Sequence, residues 1–237
     1  MNYKSALNNK IFAIISKASQ ELNIESYVIG GFVRDLILQR DFKKDIDIVA
    51  VGSGIELALK VADLLPNKPK VQVFKNYGTA MLRFEDTEIE FVGARKESYQ
   101  FESRNPVVEN GTLEDDQNRR DFTINALALS LNSKTYGDLL DPFNGLKDIE
   151  NRTIKTPLNP DITFSDDPLR MLRAVRFANQ LGFDIEDTSL QSITQNKDRI
   201  GIISGERIVD ELNKILATET PSIGFLLLYK TGLLQLI

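Results

Sequence analysis

Apolar residues recur at helical spacing in residues 5–22, at Ile11, Ile14, Ile15, Ala18 and Leu22, which predicts an amphipathic helix. Shorter runs follow. Tyr27–Ile29, Asp45–Val51, Val71–Phe74, Thr79–Phe84 and Glu88–Gly93 read as strands, with Asp86-Thr87 in the turn between the last two. Phe32–Gln39 and Gly54–Leu65 read as helices, the second stopped by Pro66. Residues 95–118 are polar, contain Pro106 and Gly111, and read as a long, mobile loop; loops of that length inside compact domains are usually functional or disordered. Arg120–Leu131 reads as a helix or helix–strand segment, and Asp141–Gly145 as a turn. From Asp166 onward the period is helical, over 167–181, 187–197, 204–217 and 221–229. The chain stops at Leu234-Gln-Leu-Ile237 inside an apolar helical pattern with no cap, so a helix ends there or the chain continues.

This pattern predicts an α+β protein. A mixed sheet with flanking helices occupies residues 1–156 and an all-α part occupies 157–237, divided near Thr156-Pro157-Leu158-Asn159-Pro160. The 237 residues suffice for two such domains. The net charge is −5, and neither side of residue 159 is basic, so contact with nucleic acid must come from a local patch. With no Cys and no His, disulfides, thiol catalysis, ordinary zinc sites and imidazole acid–base chemistry are excluded. Carboxylate, hydroxyl, Lys, Arg and metal chemistry are left. The N-terminus lacks the apolar core of a signal peptide, and no apolar run reaches membrane-spanning length. A cytoplasmic protein that does not enter membranes is expected.

The densest chemistry lies in Asp45-Ile-Asp-Ile48. On a strand, Asp45 and Asp47 share one face while Ile46 and Ile48 take the other. Two like charges on one face make sense with a divalent cation between them, and Mg²⁺ is commonly held by one or two carboxylates plus substrate phosphates. A solvated strand face is the plainer reading. Glu88 and Glu90 repeat the spacing, and Glu90 becomes a third carboxylate if its strand neighbours Asp45–Val49; Glu88 reads as edge solvation. Gly30-Gly31 sits at a strand-to-helix turn, where backbone N–H groups and close approach suit phosphate. With Arg34 one turn later it can cradle a triphosphate, or Arg34–Asp35 is a structural ion pair.

Arg119-Arg120-Asp121-Phe-Thr-Ile-Asn125-Ala126 offers arginines for phosphate, and Asp121 or Asn125 for a sugar hydroxyl; an ion-paired helix start is the alternative. Asp141-Pro-Phe-Asn-Gly145, followed by Asp148, is a structural turn. In Ser165-Asp-Asp-Pro-Leu-Arg170, Ser165 or Asp166 can cap a helix. Asp167 and Arg170 can present acceptor and donor to a base, or form a helix ion pair worth only a few tenths of a kcal/mol. Arg170, Arg173 and Arg176 form a slowly rotating stripe suited to phosphate, which Arg207 can extend unless it belongs to a solvated helix face.

Together these pieces, in this order, resemble the class II tRNA nucleotidyltransferase and bacterial poly(A) polymerase family, within the polymerase-β-like nucleotidyltransferase superfamily. The resemblance rests on Gly30-Gly-x-Val-Arg-Asp35 with Asp45-x-Asp47, Ile89-Glu90, Arg119–Ala126, Asp141-Pro-x-x-Gly145, Asp167-Pro-Leu-Arg170 with Leu172-Arg-Ala-x-Arg-Phe-Ala178, and Glu206-Arg-Ile with Glu211-Leu212. It covers residues 25–217. Any one motif is weak; the spaced set is specific.

The resemblance implies a polymerase-β-like head followed by a helical neck. Asp45 and Asp47 would hold two Mg²⁺ ions and Glu90 would assist. Gly30, Gly31 and Arg34 would contact the triphosphate. Arg120 and Asp121 would lie near the ribose. Asp167 and Arg170 would pair with the incoming base in place of a template. Where the family usually reads Glu-Asp, this chain has Asp166-Asp167. The implied reaction extends a tRNA 3′ end from CTP and ATP, with release of pyrophosphate. Poly(A) polymerases of the group usually carry Arg-Arg-Phe-x-x-x-His before the third-carboxylate strand, whereas this chain has Lys75-Asn-Tyr-Gly-Thr-Ala80. Addition of CCA, or of the terminal A alone, is therefore favoured over a poly(A) tail. A non-catalytic nucleotide- or RNA-binding module, and nucleotidyl transfer to a small molecule or protein, are the competing readings. The body and tail that grip tRNA in the family have no counterpart before residue 237, so a truncated chain is expected.

Overall fold

The computed structural model describes residues 1–40, 45–100 and 103–237, without the side chains of 97–100 and 103–107. It divides into two compact units. The first comprises Met1–Lys96, Glu109–Asn118 and Asn125–Gly145; the second comprises Glu97–Val108, Arg119–Ile124 and Leu146–Ile237.

The first unit opens with a short 3-10 turn and α1 (Lys10–Leu22). The predicted helix therefore starts later than residue 5. Asn9 sets the start by accepting the Ile11 N–H on its side chain, a cap worth about 1 kcal/mol, and Asn23 ends the helix in a left-handed conformation. Its buried face is Ile11, Phe12, Ile15, Ala18 and Ser19. Next come β1 (Glu25–Ile29), α2 (Gly31–Ile37), β2 (Asp45–Val51) and α3 (Gly54–Leu64). The sheet continues with β3 (Gln72–Phe74), β4 (Thr79–Phe84) and β5 (Thr87–Gly93). The β4–β5 turn falls at residues 85–86, so Thr87 joins the strand. Gly54 starts α3 directly against β5, where an added Cβ would lie 2.7 Å from the Val92 carbonyl carbon.

The segment 95–118 differs from the expected loop. It contains β6 (Arg95–Gln100) and β7 (Ser103–Asn110), paired as a two-stranded sheet, and then α4 (Leu113–Asn118). Polar composition obscured strands that satisfy their backbone groups with each other. Residues 101–102 lie outside the described residues. Arg120–Leu131 resolves into one 3-10 turn (Thr123–Asn125) and β8 (Ala128–Ser130), followed by β9 (Leu139–Leu140). The seven-stranded mixed sheet runs β3-β4-β5-β2-β1-β8-β9. Tyr27, Ile29, Val49, Ala94, Leu113 and Ala128 form one of its buried apolar clusters.

The second unit takes in residues 97–108 of the β6–β7 segment and Arg119–Ile124, and from Leu146 onward it is helical apart from one short strand pair. It takes in α5 (Gly145–Glu150) after its first residue, then β10 (Thr153–Ile154), α6 (Pro160–Asp166), α7 (Leu169–Leu181) and β11 (Asp184–Ile185). Three helices follow: α8 (Asp187–Asn196), α9 (Gly205–Leu216) and α10 (Pro221–Thr231). The β10–β11 parallel pair interrupts the expected all-α pattern and ties residues 153–154 to this unit. Helix α7 packs on α9 and α10, and α6 packs on α8. Ser165 and Asp166 close α6 instead of capping α7, which starts after Pro168 without a side-chain cap. Helix α10 ends at a left-handed Gly232, so the helical pattern does not run to residue 237. Among the described residues no helix is long and apolar enough to cross a membrane.

Candidate active site

In the first unit the site is organised by strand register. Asp45 and Asp47 share a face of β2, and Ile46 and Ile48 are buried on the other. Asp47 lies opposite Ile29 of β1 on one side and Glu90 of β5 on the other; Asp45 lies opposite Glu88. Glu90 in turn lies opposite Met81 of β4, and Met81 opposite Gln72 of β3. With neighbouring strands about 4.8 Å apart, one row across the sheet carries the end of β1, both acidic strands and β4.

Gly30 follows Ile29 at the head of that row. Its backbone (φ 83°, ψ −134°) is open to glycine and strained for other residues. Its N–H donates to the Leu127 carbonyl at 3.2 Å and its carbonyl accepts the Arg34 N–H at 3.1 Å. The chain thus turns sharply beside Asp47.

The carboxylates disturb one another. Glu90 holds its proton above the usual carboxylate range, first because its surroundings strip water from it and then because Asp47 repels its charge. Arg95 and a hydrogen bond with Thr79 pull the other way. Neither Thr79 nor Arg95 was among the candidate site residues; the β4–β5 pairing brings Thr79 near. Among the described residues no three acidic side chains converge into one metal-binding cluster. The fit to a hard cation therefore rests on Asp45 and Asp47, a two-carboxylate donor set that suits Mg²⁺ when substrate phosphates complete the shell.

Of the two readings open for Arg34, the structure shows the ion pair. Its Nε and Nη2 donate to Asp35 Oδ1 and Oδ2 at 2.9 and 3.0 Å, and Nη1 donates to Asn125 Oδ1 at 2.8 Å. Arg34, Asp35 and Asn125 are all buried. The guanidinium lies under Gly31, where an added Cβ would come within 3.7 Å of Nη2. Arg34 therefore fastens the glycine turn to Asn125 from below. Asn125 accepts that bond on its carbonyl oxygen. Gln117 of α4, which sequence reading missed, anchors the same segment by donating to the Ala126 carbonyl at 2.7 Å.

In the second unit the predicted residues are mostly paired internally. Asp121 accepts the Phe122 N–H on Oδ1 at 2.8 Å, and its Oδ2 accepts both Nε (2.8 Å) and Nη2 (2.5 Å) of Arg173. Arg173 is held protonated above its ordinary range, chiefly by the Asp121 charge. Arg176 donates to Glu211 at 2.5 Å and stands over the Phe177 ring, 4.0 Å from its centroid. Burial lowers its pKa and Glu211 opposes that shift. Arg173 and Arg176 are each paired with a facing carboxylate, on Asp121 and on Glu211 of α9, in place of the expected open stripe. The signal was present in Glu211-Leu212, which sequence reading had not joined to Arg176.

Asp167 is extended between α6 and α7, and its Oδ1 accepts the Leu169 N–H at 3.3 Å. Arg170 is buried and donates to the carbonyls of Arg119 (2.6 Å) and Thr163 (3.4 Å). An arginine has five N–H donors, so these two bonds do not exhaust it. Arg120 is half-buried, as is Arg207 in the first turn of α9.

Residues 26–155 match the family described as the poly A polymerase head domain, and residues 182–237 match the "probable RNA and SrmB-binding site of polymerase A". The chain belongs to the poly(A) polymerase head-domain family. Within this family it is similar to an A-adding tRNA nucleotidyltransferase of Aquifex aeolicus, with 36% identity over 210 residues, covering 87% of this chain and 25% of that one. It is 37% identical over 221 residues to a CCA-adding enzyme of a Geobacillus species, covering 92% and 52%. A solved tRNA nucleotidyltransferase, complexed with a primer tRNA and an incoming ATP analog, shares its fold. The TM-score is 0.80 at 32% identity, covering 93% of this chain and 61% of that one. The chain spans about a quarter to a half of the length of the curated relatives named here. Nucleotidyltransferases of this family generally use a divalent metal.

Proposed function

We propose that this chain transfers nucleotides from CTP and ATP to the 3′ end of tRNA in the cytoplasm, adding CCA or its terminal A and releasing pyrophosphate. The observation that carries this reading is the row Gly30–Asp47–Glu90: a glycine turn at the end of β1 and acidic residues of β2 and β5 lie side by side across adjacent strands. The named relatives that add A or CCA to tRNA support it.

In this proposal Asp45 and Asp47 hold Mg²⁺, which when bound supplies charge neutralisation at the phosphates and acidifies the attacking hydroxyl. Gly30 and Gly31 let the triphosphate approach the backbone beside Asp47. Glu90 lies next to Asp47, where it orients the acceptor 3′-hydroxyl for in-line attack at the α-phosphate and takes up its proton as the bond forms. The O3′–P bond forms as the bond from the α-phosphorus to the bridging oxygen breaks, and pyrophosphate leaves. Asp167 and Arg170, on the strength of the sequence resemblance, read the base. Residues 1–156 serve as head and 157–237 as neck.

The test is extension of a tRNA lacking its 3′ end, with Mg²⁺ and each nucleotide singly and in combination. Incorporation restricted to C and A supports the proposal. Indifference to the identity of the base, or transfer to no RNA while ATP is bound, overturns it.

A further inference from the structure

We infer that the groove beyond Glu90, on the side away from Gly30, seats the 3′-terminal nucleotide of the RNA acceptor, with its base stacked on Tyr77 and Phe74. The inference rests on the proposed function and assigns a substrate position within it.

A groove of about 420 Å³ is lined by Phe74, Tyr77, Thr79, Met81, Glu90 and Arg95, together with Val92. It belongs wholly to the first unit. Its volume is in the range of small-ligand sites. Tyr77 is 73% exposed and Phe74 42% exposed, on and beside an edge strand. Isolated exposed apolar residues need no explanation, but two aromatic rings lining one groove with a carboxylate and a guanidinium do.

Register decides what the groove can take. Along the row, Asp47 lies between Ile29 and Glu90, and Glu90 lies between Asp47 and Met81. The triphosphate side is the Gly30 side. The strand order then leaves the hydroxyl that attacks on the opposite side of Asp47, by Glu90. The nucleotide carrying that hydroxyl must extend over β4 and β3, where the rings are. Every base offers a π-face, so aromatic stacking holds a strand end without reading its identity, as an enzyme that extends successive ends requires. Arg95 lines the same groove and suits a backbone phosphate, and Lys75 is exposed in the same short segment. These cations supply the local patch that an acidic chain needs to meet RNA.

The test uses the 237-residue chain with Mg²⁺, a short single-stranded RNA ending in 2-aminopurine as fluorescent probe, and ATP in a separate titration. Binding should quench the terminal 2-aminopurine. Tyr77→Ala should abolish the quench and weaken RNA binding about tenfold, the loss of one base–ring stack, while ATP affinity changes less than about twofold. Tyr77→Phe should keep both. The unfolding midpoint of Tyr77→Ala should match the parent, because the ring is exposed. Unchanged RNA affinity and quench in Tyr77→Ala overturn the inference. So does a loss of ATP affinity in their place, which assigns the groove to the incoming nucleotide. A parent chain that binds ATP but shows no quench overturns this inference alone; one that binds neither ATP nor RNA overturns the proposed function and this inference with it.

Discussion

Asp47 of β2 and Glu90 of β5 are register partners on neighbouring parallel strands. They come from segments 43 residues apart, and the pairing puts both acidic side chains on one face of the sheet. Desolvation first, and then the Asp47 charge, raises the proton affinity of Glu90. A parallel pair cannot be made by a hairpin, so the α3–β3–β4 crossover between them builds the site.

Asp45→Ala and Asp47→Ala should each lower nucleotide transfer by about 10² to 10³-fold or more, the range for removing one preorganised electrostatic group. Asp45 is exposed and Asp47 half-buried, so chemical denaturation should show stability within about 0.5 kcal/mol of the parent. Chelation of divalent metal should stop transfer by the parent chain, and added Mg²⁺ should restore it. A transfer rate unmoved by either carboxylate would remove the metal site from β2.

Arg34→Ala should be a folding defect. It leaves Asp35 buried without its bidentate partner and frees Asn125, at a cost of about 3–5 kcal/mol. Urea titration measures this directly. Were Arg34 a phosphate ligand instead, stability would hold and the KM for ATP alone would rise.

Glu211→Ala should likewise destabilise the chain by about 3 kcal/mol, because Arg176 is buried against it. The salt dependence of RNA binding should be the same in Arg176→Gln and the parent, since Arg176 is turned to the Glu211 carboxylate and not to phosphate. A changed salt slope would return Arg176 to the RNA-binding surface.

Tyr27 sets an alkaline limit on stability. Burial and the adjacent Glu25 carboxylate push its phenol up to about 12 from 10.0, with the hydroxyl donating to Glu25 at 2.7 Å. The folded state therefore binds the proton more tightly than the unfolded chain. That stabilisation is complete below pH 10 and is lost as pH rises towards 12. Tyr27→Phe should flatten this part of the pH–stability curve, measured by denaturation between pH 9 and about 12.

The corrections share a cause. Arg34, Asp121, Arg173 and Arg176 were legible as charged residues in the right motifs, yet whether a guanidinium faces a substrate or a neighbouring carboxylate depends on what folds against it. Asp35 and Glu211 answered that for Arg34 and Arg176. The segment 95–118 failed for another reason: its strands pair with each other and carry no apolar alternation strong enough to announce them.

The sequence by itself determined the α+β class, the elements with strong period, the shared face of Asp45 and Asp47, and the family. Each follows from local alternation, helical spacing or spaced motifs, which need no knowledge of distant contacts. Only the tertiary structure decided that Glu90 sits across from Asp47, that Arg34 is buried under the glycine turn, and that the exposed Tyr77 lines a groove beside the acidic row. Those facts depend on strand order and register, which are set by packing between segments far apart in the chain.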